Sequence, residues 1–143
     1  RQRADRTVLD VDDLKGVNDT HGHPVGDRVI RAVAEVIRGS TRQSDLAGRY
    51  SGDEFVVVLP ETDAAGALTV ARKVRAGVAA LVLRVGARAI LTSVSVGLVC
   101  HPQDGVTLEQ LMASVEAAMN RSKRRGKNQV VGDVSGSAAG RLG

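Results

Sequence analysis

Two short apolar runs separated by a polar turn make up residues 46–59, which read LAGRYSGDEFVVVL. Runs of this length that are rich in Val and bounded by turn residues are typical of β-strands. The Ser51-Gly52 step between them suits a tight two-residue hairpin turn. Asp53 and Glu54 follow at once, so the segment predicts a hairpin with two acids on its exposed rim.

Amphipathic helices are predicted on both sides of this hairpin. Residues 28–38 carry apolar side chains at helical spacing, and Gly39 is expected to end that helix. A second helix is predicted to start at Asp63, a good N-cap. A third is predicted from Thr107, because Thr107 and Gln110 have the spacing of a capping box.

Further strands complete the predicted order β-α-β-β-α-β-β-α-β. They are assigned to Val8–Val11, Val82–Arg88, Ile90–Val99 and Gln129–Val131. Because hairpins alternate with helical crossovers, the order predicts an α/β sandwich in which helices cover a mixed sheet. We expect residues 1–132 to form one domain and residues 133–143, which are small and polar, to form a flexible tail.

The composition excludes several classes of protein. The chain has 143 residues, a net charge of +4, one Tyr, one Phe and no Trp, so base-stacking platforms for single-stranded nucleic acid are not expected. Its single Cys excludes an internal disulfide and fits a cytoplasmic setting. No apolar run is long enough to span a bilayer. Because the first residue is Arg, we expect a piece of a longer protein.

Two acidic clusters and one basic cluster carry the chemical signal. Residues 9–19, LDVDDLKGVND, place carboxylates and a lysine after a short apolar strand, where they can hold Mg²⁺ and phosphate oxygens. The alternative is a charged helix start with Asp as N-cap, and the alternative for the hairpin acids is a solvated turn. Residues 121–127 hold five cations. Together the clusters supply the groups that phosphoryl transfer needs.

Three separated motifs then identify a family resemblance. DVDDLKGVNDTHGHPVGD at 10–27, RYSGDEF at 49–55 and KRRGKN at 123–128 closely resemble the GGDEF domain of diguanylate cyclases, over about residues 6–132. The resemblance implies a ferredoxin-like, nucleotidyl-cyclase palm-type fold with a mixed, mainly antiparallel sheet flanked by helices. It also implies a homodimer that condenses two GTP molecules into cyclic di-GMP and two pyrophosphates.

The resemblance implies a metal and catalytic set. Asp10, the carbonyl of Val11, Asp53 and Glu54 would bind Mg²⁺ or Mn²⁺. Asp53 would also accept the proton of the attacking hydroxyl, which is chemically sound because metal binding makes that hydroxyl a stronger acid. Lys15 would stabilise the charge that develops on the transferred phosphoryl group.

The resemblance also implies how GTP is bound. Lys123 and Lys127 would hold the terminal phosphates, with help from backbone N–H groups around Asp13 and Leu14. Asn18 and Asp27 match the guanine-reading pair. A carboxylate suits this task because guanine presents N1–H and its exocyclic amine side by side, whereas adenine lacks the N1–H donor.

A product-binding site is implied upstream of the hairpin. Arg42 and Asp45 form an RxxD motif at the family's spacing from Ser51, and Lys73 would add a basic contact. Arg42 would bind a phosphate or guanine edge of cyclic di-GMP, and Asp45 would accept from guanine. The alternative is a surface ion pair.

Several departures from the family pattern bear on activity. Ser51 replaces the first Gly and would cost about 1 kcal/mol if the turn needs left-handed backbone there. Leu14 replaces a usual Phe, and Lys127 replaces an Arg, which exchanges a bidentate fork for a point charge. The family's upstream DxLTGLxNR segment is truncated or divergent.

These departures leave a rival hypothesis, a receptor module that binds cyclic di-GMP or GTP without turnover. An upstream sensory or dimerisation domain is expected in the parent protein. Nucleic acid is not an expected partner, because the basic cluster lies where the family holds phosphates.

Overall fold

The structure is a computed structural model that describes residues 4–101 and 107–132. The first strand of this described part is the central strand of the main sheet. The strands are β1 (Ala4–Val11), β2 (Leu46–Ser51), β3 (Glu54–Pro60), β4 (Val82–Val85), β5 (Arg88–Leu91), β6 (Val94–His101) and β7 (Val130–Gly132). The helices are α1 (Leu14–His21), α2 (His23–Ser40), α3 (Ala64–Ala79) and α4 (Leu108–Arg124).

Five of these strands form one sheet in the order β2-β3-β1-β6-β7. β1 pairs antiparallel with β3 and β6, β2 pairs antiparallel with β3, and β6 and β7 are parallel. β4 and β5 form a separate two-stranded hairpin. The predicted mixed, mainly antiparallel sheet flanked by helices is therefore confirmed.

The core between the sheet and its helices is built from aliphatic side chains and Phe55. β3 alternates half-buried and buried positions, as expected of a strand with one face on the core. α2 contributes Val29, Val33 and Ile37, and α3 contributes four small or β-branched residues, Ala67, Ala71, Val74 and Val78. These apolar stripes hold α2 and α3 against the sheet, and α4 packs on β6, β1 and β7.

The helix caps agree with the sequence. Asp63 accepts a hydrogen bond from the Gly66 N–H at 2.8 Å and starts α3. Thr107 and Gln110 form the reciprocal capping box of α4, with distances of 3.1 and 3.2 Å. Both contacts satisfy backbone donors that would otherwise lack partners in the first turn of a helix.

Gly39 does not end its helix, contrary to the prediction. α2 runs from His23 through Gly39 to Ser40. The hydroxyls of Ser40 and Thr41 donate to the carbonyls of Val36 and Ile37, at 2.7 and 2.9 Å. Because these bonds satisfy the terminal carbonyls, the helix ends without a glycine in left-handed conformation.

The predicted strand over Ile90–Val99 is two strands in two different sheets. Ile90 belongs to β5, whereas β6 begins at Val94. The break lies at Thr92-Ser93, where the Ser93 carbonyl accepts from the Asp12 N–H at 2.9 Å. This long-range hydrogen bond directs the chain into the central sheet, and no local sequence pattern predicts it. The predicted tail over 133–143 lies outside the described residues.

Candidate active site

Acidic residues from two distant segments meet at one end of the central sheet. Asp10 is the register partner of Glu54 on β3 and of Ser95 on β6. The Val11 N–H donates to the Asp53 carbonyl at 2.9 Å, which ties the end of β1 to the hairpin turn. The structure therefore brings together the backbones of the four residues that were predicted to bind metal.

The hairpin turn consists of Gly52 and Asp53, one residue later than predicted. Ser51 is the last residue of β2 and pairs with Glu54, after a register shift between Arg49 and Ser51. As a strand residue, Ser51 needs no left-handed backbone. The cost of about 1 kcal/mol that was expected for a left-handed Ser51 therefore does not arise. The Arg49 guanidinium donates to the Gly52 carbonyl at 3.1 and 2.5 Å and braces the turn.

These acids are chemically suited to a hard divalent cation. Mg²⁺ prefers carboxylate and carbonyl oxygens, which is the donor set that the β1–β3 register assembles. Among the side chains that the structure describes, no three His, Cys, Asp or Glu residues form a metal cluster, and the Asp10 side chain is outside that set. The magnesium site therefore remains a prediction that the backbone register supports.

The start of α1 lies directly after this end of β1. Asp13 is the N-cap, in left-handed backbone with φ of 56°, so the helix start named as the alternative is present. Leu14 is buried, and Lys15 pairs with Asp19 at 2.8 Å on an exposed face. Exposed pairs of this kind contribute little to stability, so Lys15 can exchange Asp19 for a phosphate at small cost.

The predicted guanine readers come from neighbouring helices. Asn18 lies half-buried on α1 and Asp27 lies exposed on α2. A Cβ added to the buried Gly26 would come within 1.7 Å of the Asn18 Oδ1, so the Asn18 amide lies against the residue that precedes Asp27. Gly26 was not among the predicted site residues. Its signal in the sequence is a glycine inside a helical pattern.

A groove of about 810 Å³ runs between α2 and β2. Asp27 and Arg38 both line it and are separated by three turns of α2, roughly 16 Å along the axis. Arg42 and Asp45 line it too, so the groove connects the predicted guanine reader with the RxxD motif. Its cationic lining consists of Arg31, Arg38, Arg42 and Arg49.

Within the RxxD motif, Arg42 and Asp45 are bonded to each other. The Asp45 carboxylate accepts from the Arg42 backbone N–H at 2.7 Å and from its guanidinium at 3.2 Å. The same guanidinium donates to the Thr62 hydroxyl at 2.8 Å. The ion pair that was named as the alternative is thus present, and product binding there remains a prediction. Lys73 lies exposed on α3, outside the groove lining.

The predicted phosphate-binding lysines flank the turn between α4 and β7. Lys123 lies in the last turn of α4, and its Nζ is 3.5 Å from the Asp12 Oδ1. Lys127 is exposed and adopts left-handed backbone with φ of 66°. Asp12 is buried and was not among the predicted site residues. Its signal in the sequence is an alternation of polar residues, at Asp10 and Asp12 and again at Ser93 and Ser95, which indicates polar side chains on the same face of a strand.

Comparisons with known proteins agree with this geometry. A family model described as the GGDEF domain of diguanylate cyclases matches residues 2–129. The chain is 34% identical over 123 residues to diguanylate cyclase A of Treponema denticola, covering 86% of this chain and 33% of that protein. It is 35% identical over 130 residues to the response regulator PleD of Caulobacter vibrioides, covering 90% and 29%. The chain thus spans about a third or less of these relatives.

Solved structures give the same result. The GGDEF domain of DgcB from Caulobacter crescentus, in complex with c-di-GMP, is 34% identical, with a TM-score of 0.86 over 92% of this chain and 78% of that one. Diguanylate cyclase SiaD of Pseudomonas aeruginosa is 38% identical, with a TM-score of 0.86 over 92% and 50%. Motifs, fold and matched length agree, and the chain belongs to the GGDEF domain family of diguanylate cyclases.

Proposed function

We propose that this chain is a catalytic diguanylate cyclase domain, which condenses two GTP molecules into cyclic di-GMP and releases two pyrophosphates. The observation that carries the proposal is the β1–β3 register, which pairs Asp10 with Glu54 and bonds Val11 to Asp53. This register brings acids from segments more than forty residues apart to one end of the central sheet, beside the start of α1 and the end of α4.

Each protomer of a homodimer binds one GTP in this proposal. Asp27 accepts hydrogen bonds from the N1–H and exocyclic amine of guanine, and the Asn18 amide contacts the same base. Lys123 and Lys127 hold the terminal phosphates. Asp53 accepts the proton of the 3′-hydroxyl, whose oxygen attacks the α-phosphorus of the partner's GTP. Lys15 stabilises the negative charge on the phosphoryl oxygens during transfer. The pyrophosphate leaves on the side of the two lysines.

Magnesium or manganese, when bound by Asp10, the Val11 carbonyl, Asp53 and Glu54, neutralises phosphate charge and makes the attacking hydroxyl more acidic. The protein's own task is to hold Asp10, Val11 and Glu54 on strand ends, and Asp53 in the adjoining turn, at positions set by a five-stranded sheet. Sites on strands are held more precisely than sites on loops.

A receptor role is the second candidate, and the groove between α2 and β2 favours it. The groove has a volume of about 810 Å³ and is lined by four arginines, and Arg42 and Asp45 lie within its lining. In this reading the product binds near the RxxD motif and the acids at the sheet end are unused.

The parent protein is proposed to supply a sensory or dimerisation domain that brings two copies face to face. Among the helices in the described parts of the chain, none combines the length and apolar character needed to cross a bilayer. The cytoplasmic location expected from the sequence stays a prediction.

The test is incubation of the protein with GTP and Mg²⁺, with cyclic di-GMP measured by chromatography. We expect product from the wild type and none from Asp53→Ala, which should still bind GTP. Glu61→Gln removes an acid just beyond the other end of β3 and should retain full turnover. A wild type without product that binds cyclic di-GMP would establish the receptor instead.

A further inference from the structure

Asp12 is a buried carboxylate outside the predicted set of site residues. It lies directly after β1, and its side chain is 4% exposed. A charged group in this position is stable only if its oxygens are fully paired. The described contacts satisfy that requirement, because both carboxylate oxygens accept hydrogen bonds from donors on other elements.

The donors come from three remote parts of the chain. The Ser95 hydroxyl donates to Oδ1 at 2.6 Å, and the Ser93 hydroxyl donates to Oδ2 at 2.5 Å. The Asn128 backbone N–H donates to Oδ2 at 3.1 Å, and the Lys123 ammonium lies 3.5 Å from Oδ1. Asp12 therefore connects the start of β6 with the end of α4 and with the turn that follows it.

That turn is held in a conformation that needs support. Lys127 and Asn128 both have left-handed backbone, with φ of 66° and 51°. For residues other than glycine such conformations are unfavourable and persist only where surrounding contacts hold them. The bond from the Asn128 N–H to Asp12 is one such contact, and the Arg75 guanidinium donates to the Asn128 side-chain oxygen at 3.2 Å.

We propose that Asp12 is a positioning residue for the terminal phosphates of the nucleotide. It orients Lys123 directly and orients Lys127 through the adjacent Asn128. The Lys123 side chain is 29% exposed, so a ligand can reach part of it while its ammonium lies 3.5 Å from the Asp12 Oδ1. Both Asp12 oxygens are occupied by protein donors, which separates its role from that of the metal-binding acids. The inference rests on the proposed function of Lys123 and Lys127.

The test compares two nucleotides that share guanine and the α-phosphate but differ in the terminal phosphates and at the 3′ carbon. 3′-Deoxy-GTP has the terminal phosphates but cannot react, because it lacks the attacking hydroxyl, and GMP has no terminal phosphates. Calorimetric titration with Mg²⁺ should show that Asp12→Asn weakens binding of 3′-deoxy-GTP about tenfold, the usual scale for a charge-assisted contact, and leaves GMP binding unchanged. Asp63→Asn, which also removes a carboxylate but keeps the helix cap, should change neither.

A double-mutant cycle with Lys123→Ala separates positioning from general damage to the fold. If Asp12 acts through Lys123, Asp12→Asn will weaken 3′-deoxy-GTP binding much less in the Lys123→Ala background. Additive losses, or an equal loss for GMP, would overturn the inference. If Asp12→Asn does not fold, Ser93→Ala removes one donor and should give a smaller loss that is again confined to 3′-deoxy-GTP.

The outcomes distinguish this inference from the proposed function. A wild type that binds 3′-deoxy-GTP no more tightly than GMP would refute the phosphate role of the lysines and with it both proposals. If the wild type binds 3′-deoxy-GTP more tightly than GMP and Asp12→Asn shows the same preference, only the inference about Asp12 is refuted.

Discussion

Gly26 and Gly52 both lie beside the candidate site, but the protein needs them for different reasons. Gly26 is buried, and a Cβ there would overlap the Asn18 amide at 1.7 Å. At Gly52 a Cβ would meet nothing within 4 Å, and its backbone is not left-handed. Packing between two helices therefore explains Gly26, whereas neither packing nor backbone conformation explains Gly52. Close approach of a ligand would do so.

Gly26→Ala should lower the free energy of unfolding by about 1–3 kcal/mol, the usual range for overpacking, and weaken GTP binding as Asn18 is displaced. Urea denaturation and nucleotide titration check both effects. The double variant Asn18→Ala/Gly26→Ala removes the clash, so it should recover most of the stability without recovering GTP affinity. Recovery of affinity would show that Asn18 does not contact the base.

Gly52→Ala should fold with unchanged or slightly increased stability, because the site is open and alanine restricts the unfolded chain. If nucleotide passes close to Gly52, cyclic di-GMP synthesis should fall on the order of tenfold or more. Gly39→Ala is the matched control, since its Cβ also meets nothing within 4 Å and it lies at the end of α2. Equal turnover for both variants would contradict close approach at Gly52.

At the scale of elements, Arg42 joins two connections of the chain. It lies between α2 and β2. Its guanidinium donates to the carbonyl of Pro60, the last residue of β3, at 3.3 Å and to the hydroxyl of Thr62, between β3 and α3, at 2.8 Å. The Asp45 side chain is 1% exposed while that of Arg42 is 61% exposed. The acid thus serves as a buried anchor, and the arginine is the member of the pair that a ligand can reach.

Arg42→Ala should raise the cyclic di-GMP concentration needed for half-inhibition about tenfold, because a charge-assisted contact to the product is lost. Initial rates at increasing product concentration measure this. Arg28→Ala, an exposed arginine of α2 outside the groove lining, should leave the inhibition curve in place. An unaltered curve for Arg42→Ala would mean that its pair with Asp45 is only structural.

At the scale of the whole molecule, the order of strands in the sheet determines which segments meet at one end of it. The order β2-β3-β1-β6-β7 puts β1 between its two longest partners, so the residues after β1 face both the hairpin turn and the start of β6. One chain then presents one proposed nucleotide site. The proposed reaction joins two nucleotides, so activity should depend on the encounter of two chains.

Specific activity should rise with protein concentration for this chain alone, because two loaded protomers must meet. Fusion to a parallel dimeric coiled coil should remove that dependence by raising the effective concentration. Rates measured over a hundredfold dilution series test this. A specific activity that is independent of concentration in the unfused chain at all dilutions would contradict the two-chain reaction.

Much of the fold follows from local signals. The hairpin over 46–59 and the caps at Asp63 and Thr107 depend on a few adjacent residues, and all three are confirmed. Two predictions were wrong, the end of α2 at Gly39 and a single strand over residues 90–99. The end of α2 depends on side-chain caps after Gly39, and the division of residues 90–99 depends on a hydrogen bond to Asp12. These contacts have no periodic signature.

The sequence by itself determined the family and the starts of α3 and α4, since motif spacing and capping chemistry are local. It did not give the start of α2 at His23 or the helix α1. Only the tertiary structure decided that Asp12 is buried among Ser93, Ser95, Lys123 and Asn128. It also decided that a groove connects Asp27 with Arg42. The physical reason is that burial and strand register arise between segments up to 116 residues apart, where no spacing along the chain encodes which side chains meet.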